Sequence, residues 1–197
     1  MDIKSTQTVG QQTISQVLWP VNANNTYLRN AVWALIGTML LAISAKVQVP
    51  FYPVPVTMQS FVVLLIGASL GWRLGMATVA LYLFEGLVLG LPVFAGETAG
   101  LAYLAKPSFG YLVSYIVAAG IVGTLAEQGF DRTPLKALAM MGLGACLILA
   151  IGAGWLSYMI GIEKAVKFGV MPFLLGDIVK LVLAAATLPL AWKLLKK

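Results

Sequence analysis

Six apolar stretches follow one another along this chain, at roughly 29–46, 56–71, 74–91, 109–128, 135–160 and 172–194, each near the ~20 residues that a helix needs to span ~30 Å of hydrocarbon. Only Gly71-Trp72-Arg73 separates the second from the third, and the second is short. Charged residues make up 10% of the chain, against about 25% in soluble domains, and 60% of it is hydrophobic. These features predict an all-α membrane protein of six transmembrane helices.

Residues 1–28 are polar, with Gln11, Gln12, Asn22, Asn24 and Asn25, and they lack both a basic start and an apolar run closed by small residues. They read as a cytoplasmic lead and not as a secretory signal. Residues 29–197 then form the transmembrane domain. With both ends inside, Lys4, Arg29, Arg73, Arg132, Lys136, Lys193, Lys196 and Lys197 are cytoplasmic, against Lys46, Lys106, Lys164 and Lys167 outside. That excess predicts cytoplasmic termini, so the net charge of +6 is read as a topology signal and no nucleic-acid partner is expected.

The three external connections, 47–55, 92–108 and 161–171, are then long. The first carries Pro50, Pro53 and Pro55, which bar regular helix and predict a stiff extended flap whose Phe51, Tyr52 and Val54 wall off whatever lies beneath. The second, around Gly96-Glu97, is glycine-rich and long enough to fold back as a lining. Together they predict a pocket in the outer half of the bundle, covered by extracellular loops. Ordinary connectors with interfacial aromatics are the alternative.

Ionisable groups inside the spans sharpen this expectation, since each costs about 2.5 to 3.5 kcal/mol at the bilayer centre. Asp177 and Lys180 stand three apart, on one face of the last helix. Counted from Pro172 at 1.5 Å per residue, they lie about 8 and 12 Å below the outer surface. Glu85 on the third span falls at a similar depth. A ligand site is one reading; a self-neutralising pair, or a Lys180 that snorkels, is the other. On the first span Ala34, Thr38 and Ala42 recur every four residues, a spacing that lets helices approach closely, either within the chain or against a partner. Cys146, alone in an apolar run, reads as a buried structural thiol.

With no histidine, Ser–His and Cys–His nucleophiles and histidine-ligated zinc are excluded, and no metal site is expected. No glycine-rich phosphate loop ends in Lys-Ser or Lys-Thr. Binding or transport is therefore favoured over catalysis, with no catalytic residue and no cofactor assigned.

Several blocks, in order, resemble one family: Pro53-Val54-Pro55-Val56-Thr57-Met58-Gln59, the Gly71-Trp72-Arg73-Leu74-Gly75 turn, Leu81-Tyr82-Leu83-Phe84-Glu85-Gly86, Gly90-Leu91-Pro92-Val93-Phe94-Ala95-Gly96, Pro107-Ser108-Phe109-Gly110-Tyr111 and Pro172-Phe173-Leu174-Leu175-Gly176-Asp177-Ile178-Val179-Lys180. Together they are similar to the BioY family, the biotin-specific substrate-binding (S) components of energy-coupling factor (ECF) transporters. The resemblance implies high-affinity capture of biotin from outside by a subunit of the bacterial cytoplasmic membrane. A separate transmembrane coupling subunit and two ATPase subunits would supply the energy. It also implies that Asp177 and Lys180 contact the ligand, with Tyr111 and Glu97 as further candidates beside Glu85 and Tyr52, and that Ala34, Thr38 and Ala42 meet the coupling subunit.

Biotin suits such a pocket: apolar fused rings and chain, a ureido group with two N–H donors and a carbonyl, and a carboxylate tail. An S component for another vitamin, an intramembrane enzyme using Glu85 and Asp177, and a purely structural subunit remain as alternatives.

Overall fold

The computed structural model describes residues 12–20 and 25–195. Lys4, Lys196 and Lys197 of the topology reading, and Gln11, Asn22 and Asn24 of the lead, lie outside the described residues.

Helices dominate: α1 (Ile14–Leu18), α2 (Thr26–Lys46), α3 (Gln59–Leu70), α4 (Trp72–Leu87), α5 (Phe109–Glu127), α6 (Pro134–Ile160), α7 (Ile162–Gly169) and α8 (Met171–Leu195), with 3₁₀ turns at Gly100–Ala105 and Phe130–Arg132. Between α2 and α3 a short antiparallel ribbon pairs β1 (Gln48–Val49) with β2 (Val56–Thr57), Gln48 opposite Thr57.

Among the described residues four helical stretches are long and apolar enough to cross a membrane: Thr26–Lys46, Phe109–Glu127, Pro134–Ile160 and Ile162–Leu195. Helices α3 and α4, with 12 and 16 residues, reach only about 18 and 24 Å. The second apolar stretch yields a short helix because its first residues, Val56 and Thr57, are committed to the ribbon beyond Pro53 and Pro55. Gly71, at φ 82°, then ends α3 and starts α4 with no linker, a backbone conformation that favours glycine.

The faces of the long helices show what surrounds them. On α2 the exposed side carries Leu35, Met39 and Ile43, whereas the buried side carries Gly37, Thr38 and Ser44. On α8 Ile178, Val179 and Val182 are exposed, while Asp177 and Lys180 are buried. An outside more apolar than the inside is the pattern of helices bathed in lipid.

Helix α5 is central and packs against α3, α4 and α6. Small residues allow its close contacts: a Cβ on Gly67 of α3 would stand 2.6 Å from the Ala119 carbonyl oxygen. Residues 12–19, within the stretch read as a polar lead, also pack on the bundle. Thr13, Ile14 and Ser15 are buried, Arg29 Nη1 donates to the Trp19 carbonyl at 3.2 Å, and Arg132 Nη2 donates to the Gln12 carbonyl at 3.4 Å. Cys146 corrects an expectation: it is exposed on α6, in line with exposed Leu143 and Ala150. In a membrane helix the lipid-facing and core-facing sides are both apolar, so hydrophobic surroundings in sequence do not distinguish them.

Candidate functional site

At the end of the bundle that carries the ribbon, two cavities meet. The inner one, about 20 Å³, is walled by Val54, Thr57, Gln59, Tyr103, Tyr111 and Asp177, among others. The outer one, about 240 Å³, lies between ribbon residues such as Gln48 and Phe51 and the loop that carries Gly96, Glu97 and Lys106. Pro55, Ala95, Tyr103 and Ser108 border both, so the two are neighbours with these four residues between them.

Asp177 and Lys180, 8% and 9% exposed, sit at the inner end. Lys180 Nζ donates to Asp177 Oδ1 at 3.2 Å, to the Thr57 carbonyl at 3.0 Å and to Ser60 Oγ at 2.9 Å. An ammonium has three protons, so Lys180 is saturated within the chain, tying α8 to the junction of β2 and α3. Asp177 differs: its Oδ2 receives no hydrogen bond from a described residue, and the side chain lines the inner cavity. The geometry therefore offers an anionic acceptor, held in place by Lys180, to whatever enters.

The wall between is polar and connected. Thr57 Oγ1 donates to Gln59 Oε1 at 3.2 Å, Gln59 Nε2 to the Tyr82 hydroxyl at 2.7 Å, and that hydroxyl to the Val93 carbonyl at 2.8 Å. Opposite, the Tyr111 ring stacks on Phe173 with centroids 5.6 Å apart and planes within 12°. Gly152 leaves the space that this ring fills, and the Tyr111 hydroxyl donates to the Gly169 carbonyl at 2.7 Å. Tyr103 and Ser108 share a hydrogen bond of 2.9 Å at the border between the cavities. Burial pushes the Tyr103 phenol above its ordinary pKa, against the opposing pull of Ser108, so it acts as a neutral group.

The remaining residues singled out by sequence lie elsewhere. Glu97 is exposed and borders the outer cavity, where Lys106 also stands. Glu85 is half-buried on α4 and lines neither cavity; buried Tyr82, one turn earlier, borders neither as well but touches the inner wall through its hydroxyl, which accepts from Gln59. Tyr52 is 91% exposed at the ribbon tip, and Val54 is the flap residue that seals the inner wall. On α2 Thr38 is buried with its hydroxyl donating to the Leu35 carbonyl at 3.1 Å, while Ala34 and Ala42 are half-buried. Among the described residues no three His, Cys, Asp or Glu side chains gather as metal ligands.

Gln59, Ser60, Tyr103, Tyr115 and Phe173 also line the inner cavity, and reasoning from sequence assigned none of them. Gln59 carried a legible signal, an amide inside an apolar run. Tyr115 follows Tyr111 by four residues and so shares its helix face.

Comparison with known proteins agrees with this architecture. The model of the BioY family matches residues 13–197. A protein of Thermotoga maritima named "Biotin transporter BioY" is 38% identical over 159 residues, covering 80% of this chain and 92% of its own. A "Probable biotin transporter BioY" of Pyrococcus horikoshii is 37% identical over 141 residues, covering 72% and 82%. In fold, the chain matches the crystal structure of an S-component for biotin from an ECF-type ABC transporter with a TM-score of 0.77, at 24% identity, over 88% of this chain and 95% of the other. The chain belongs to the BioY family.

Proposed function

We propose that this chain takes up biotin as the substrate-binding subunit of an ECF-type ABC transporter. The names of its relatives support the ligand, and the matched S-component supports the class of transporter. The observation that carries the reading is Asp177: a buried carboxylate on a membrane helix, with one oxygen held by Lys180 and the other unbonded beside a cavity of aromatic and polar walls. The ureido N–H groups of biotin are donors of the kind that such an oxygen accepts, and Tyr111 and Phe173 offer its apolar rings an aromatic wall once the site opens. In a dry site each of these hydrogen bonds is stronger than in water.

The finer reading follows from the same features. Helices α3 and α4, joined through Gly71 and flanked by the ribbon and the 88–99 loop, complete six membrane crossings with α2, α5, α6 and α8, and both termini are cytoplasmic. The paired cavities then face outward from a bacterial cytoplasmic membrane. The chain is not an enzyme: a separate coupling subunit and two ATPase subunits energise uptake. On α2, Thr38 is already packed within the chain, so half-exposed Ala34 and Ala42 are the small residues available to a coupling-subunit helix. In the outer cavity Lys106 and Glu97 are the charged groups that an arriving biotin carboxylate meets.

Equilibrium titration of the purified full chain in lipid nanodiscs with biotin, and separately with riboflavin and thiamine, tests this. Sub-micromolar binding of biotin alone is expected. Binding of another vitamin in its place, or turnover of any substrate by the isolated chain, would overturn the reading.

A further inference from the structure

The approach to Asp177 has two unequal jaws. One is the Val93–Gly96 segment, and three separate anchors hold it. Phe94 is fully buried, edge-to-face with Tyr82 at 5.4 Å and tilted against Tyr103 at 4.5 Å, in a space that only a glycine at position 86 leaves open. The Tyr82 hydroxyl donates to the Val93 carbonyl. Lys46, in the last turn of α2, donates from Nζ to the Phe94 carbonyl at 2.8 Å and to the Gly96 carbonyl at 3.3 Å. These two carbonyls flank Ala95, which borders both the inner and the outer cavity.

The other jaw is the tip of the ribbon, residues 50–55. Its strands pair over two residues each, Phe51 and Tyr52 are 49% and 91% exposed, and Val54 alone of its side chains is buried. The inner cavity, at about 20 Å³, holds about a water molecule on that measure. A bicyclic ligand therefore enters only if one jaw gives way, and the anchoring decides which.

We propose that Lys46 is a positioning residue that pins the Val93–Gly96 jaw, so that the ribbon tip is the jaw that yields and the lifetime of the bound ligand depends on the Lys46 clamp. This rests on the biotin reading for its kinetic part and on the geometry alone for its mechanical part. The 2.8 Å bond to the Phe94 carbonyl has the length of a strong charge-assisted tether, the solvent-exposed 3.3 Å bond to Gly96 adds less, and their loss acts mainly on dissociation. Glu97 follows Gly96 directly and is exposed, and among the described residues it forms no ion pair with Lys46, whose ammonium donates to the two carbonyls.

Two readouts on the full chain in nanodiscs separate the parts. Amide hydrogen exchange of the ligand-free protein, comparing wild type with Lys46→Met and Lys46→Arg, reads the clamp without any ligand. Lys46→Met is expected to speed exchange at residues 93–97 roughly tenfold while leaving 50–55 unchanged, and Lys46→Arg, which keeps a charged donor, to restore protection. Biotin chase experiments are then expected to give a dissociation rate roughly tenfold higher for Lys46→Met, an association rate within about threefold of wild type, and recovery in Lys46→Arg. Unchanged exchange at 93–97, or Lys46→Arg behaving as Lys46→Met, overturns the clamp. Altered exchange with an unchanged dissociation rate overturns its role in ligand retention. Failure of the wild type to bind biotin overturns the ligand reading and leaves the exchange result to decide the clamp.

Discussion

Lys180 has no proton to spare: its three donors are taken by Asp177, Thr57 and Ser60. Replacement by methionine keeps the stem but leaves a carboxylate, a carbonyl and a hydroxyl unpaired in the interior, a loss of about 3 to 5 kcal/mol for a broken buried ion pair. Lys180→Met is therefore expected to lower the thermal midpoint in detergent more than Asp177→Asn does, as read by the loss of monodisperse protein on heating. An equal or smaller effect would show that the ammonium is not structural. The spacing of the two charges made their pairing readable in the sequence, since three residues is one helical turn. The other two partners of Lys180 were not readable, because they lie 123 and 120 residues away and meet it only once α3 and α8 have packed. Glu85 shows the converse difficulty: depth in the membrane follows from counting residues, but the face of a helix that turns inward is set by packing, and on α4 that face carries Thr78, Val79, Tyr82 and Gly86.

Among the elements, α5 depends on close approach. A side chain at Gly67 would press on the Ala119 backbone, which cannot yield as a flexible side chain would. Gly67→Val is expected to destabilise the fold by about 1 to 3 kcal/mol through overpacking, and a thermal midpoint at or above that of wild type would contradict the α3–α5 contact. The turn between α5 and α6 carries a second test. Asp131 is fully buried and donated to by Trp192 Nε1. Burial pushes its carboxyl above the ordinary range, outweighing the opposing effects of Trp192, its own backbone and Arg132. A carboxyl raised on folding contributes stability below its unfolded pKa and loses it as pH rises through the folded value. Asp131→Asn is therefore expected to gain stability relative to wild type between pH 4 and pH 8, measured as the difference of thermal midpoints, and a difference independent of pH would contradict it. The boundary between α3 and α4 was legible because Gly71 acts locally, whereas the connection expected at 161–171 folds as α7, and Pro189 lies inside α8 without ending it. The shortness of α3 was not legible, because the strand that shortens it forms only with Gln48 and Val49 as partners.

The whole molecule turns apolar helix faces outward and buries Asp177 and Lys180 inside, while most of the other charges among the described residues lie exposed in loops and at helix ends, an arrangement that composition anticipated. Composition could not anticipate which cavity the buried pair would border. Docking belongs to this scale as well: Ala34→Trp adds bulk to the half-exposed stripe of α2, far along the helix from Lys46. It is expected to leave biotin binding by the isolated chain intact while cutting uptake at least roughly tenfold in cells that supply the coupling and ATPase subunits. Native uptake would remove this face from the docking surface. The central claim, that Asp177 offers its unbonded oxygen to the ligand, is tested most directly by calorimetric titration of biotin into wild type and Asp177→Asn with the fold of each verified by its thermal midpoint. The account predicts a loss of about 2 to 5 kcal/mol of binding free energy in a folded variant; equal affinity in the two proteins would contradict it.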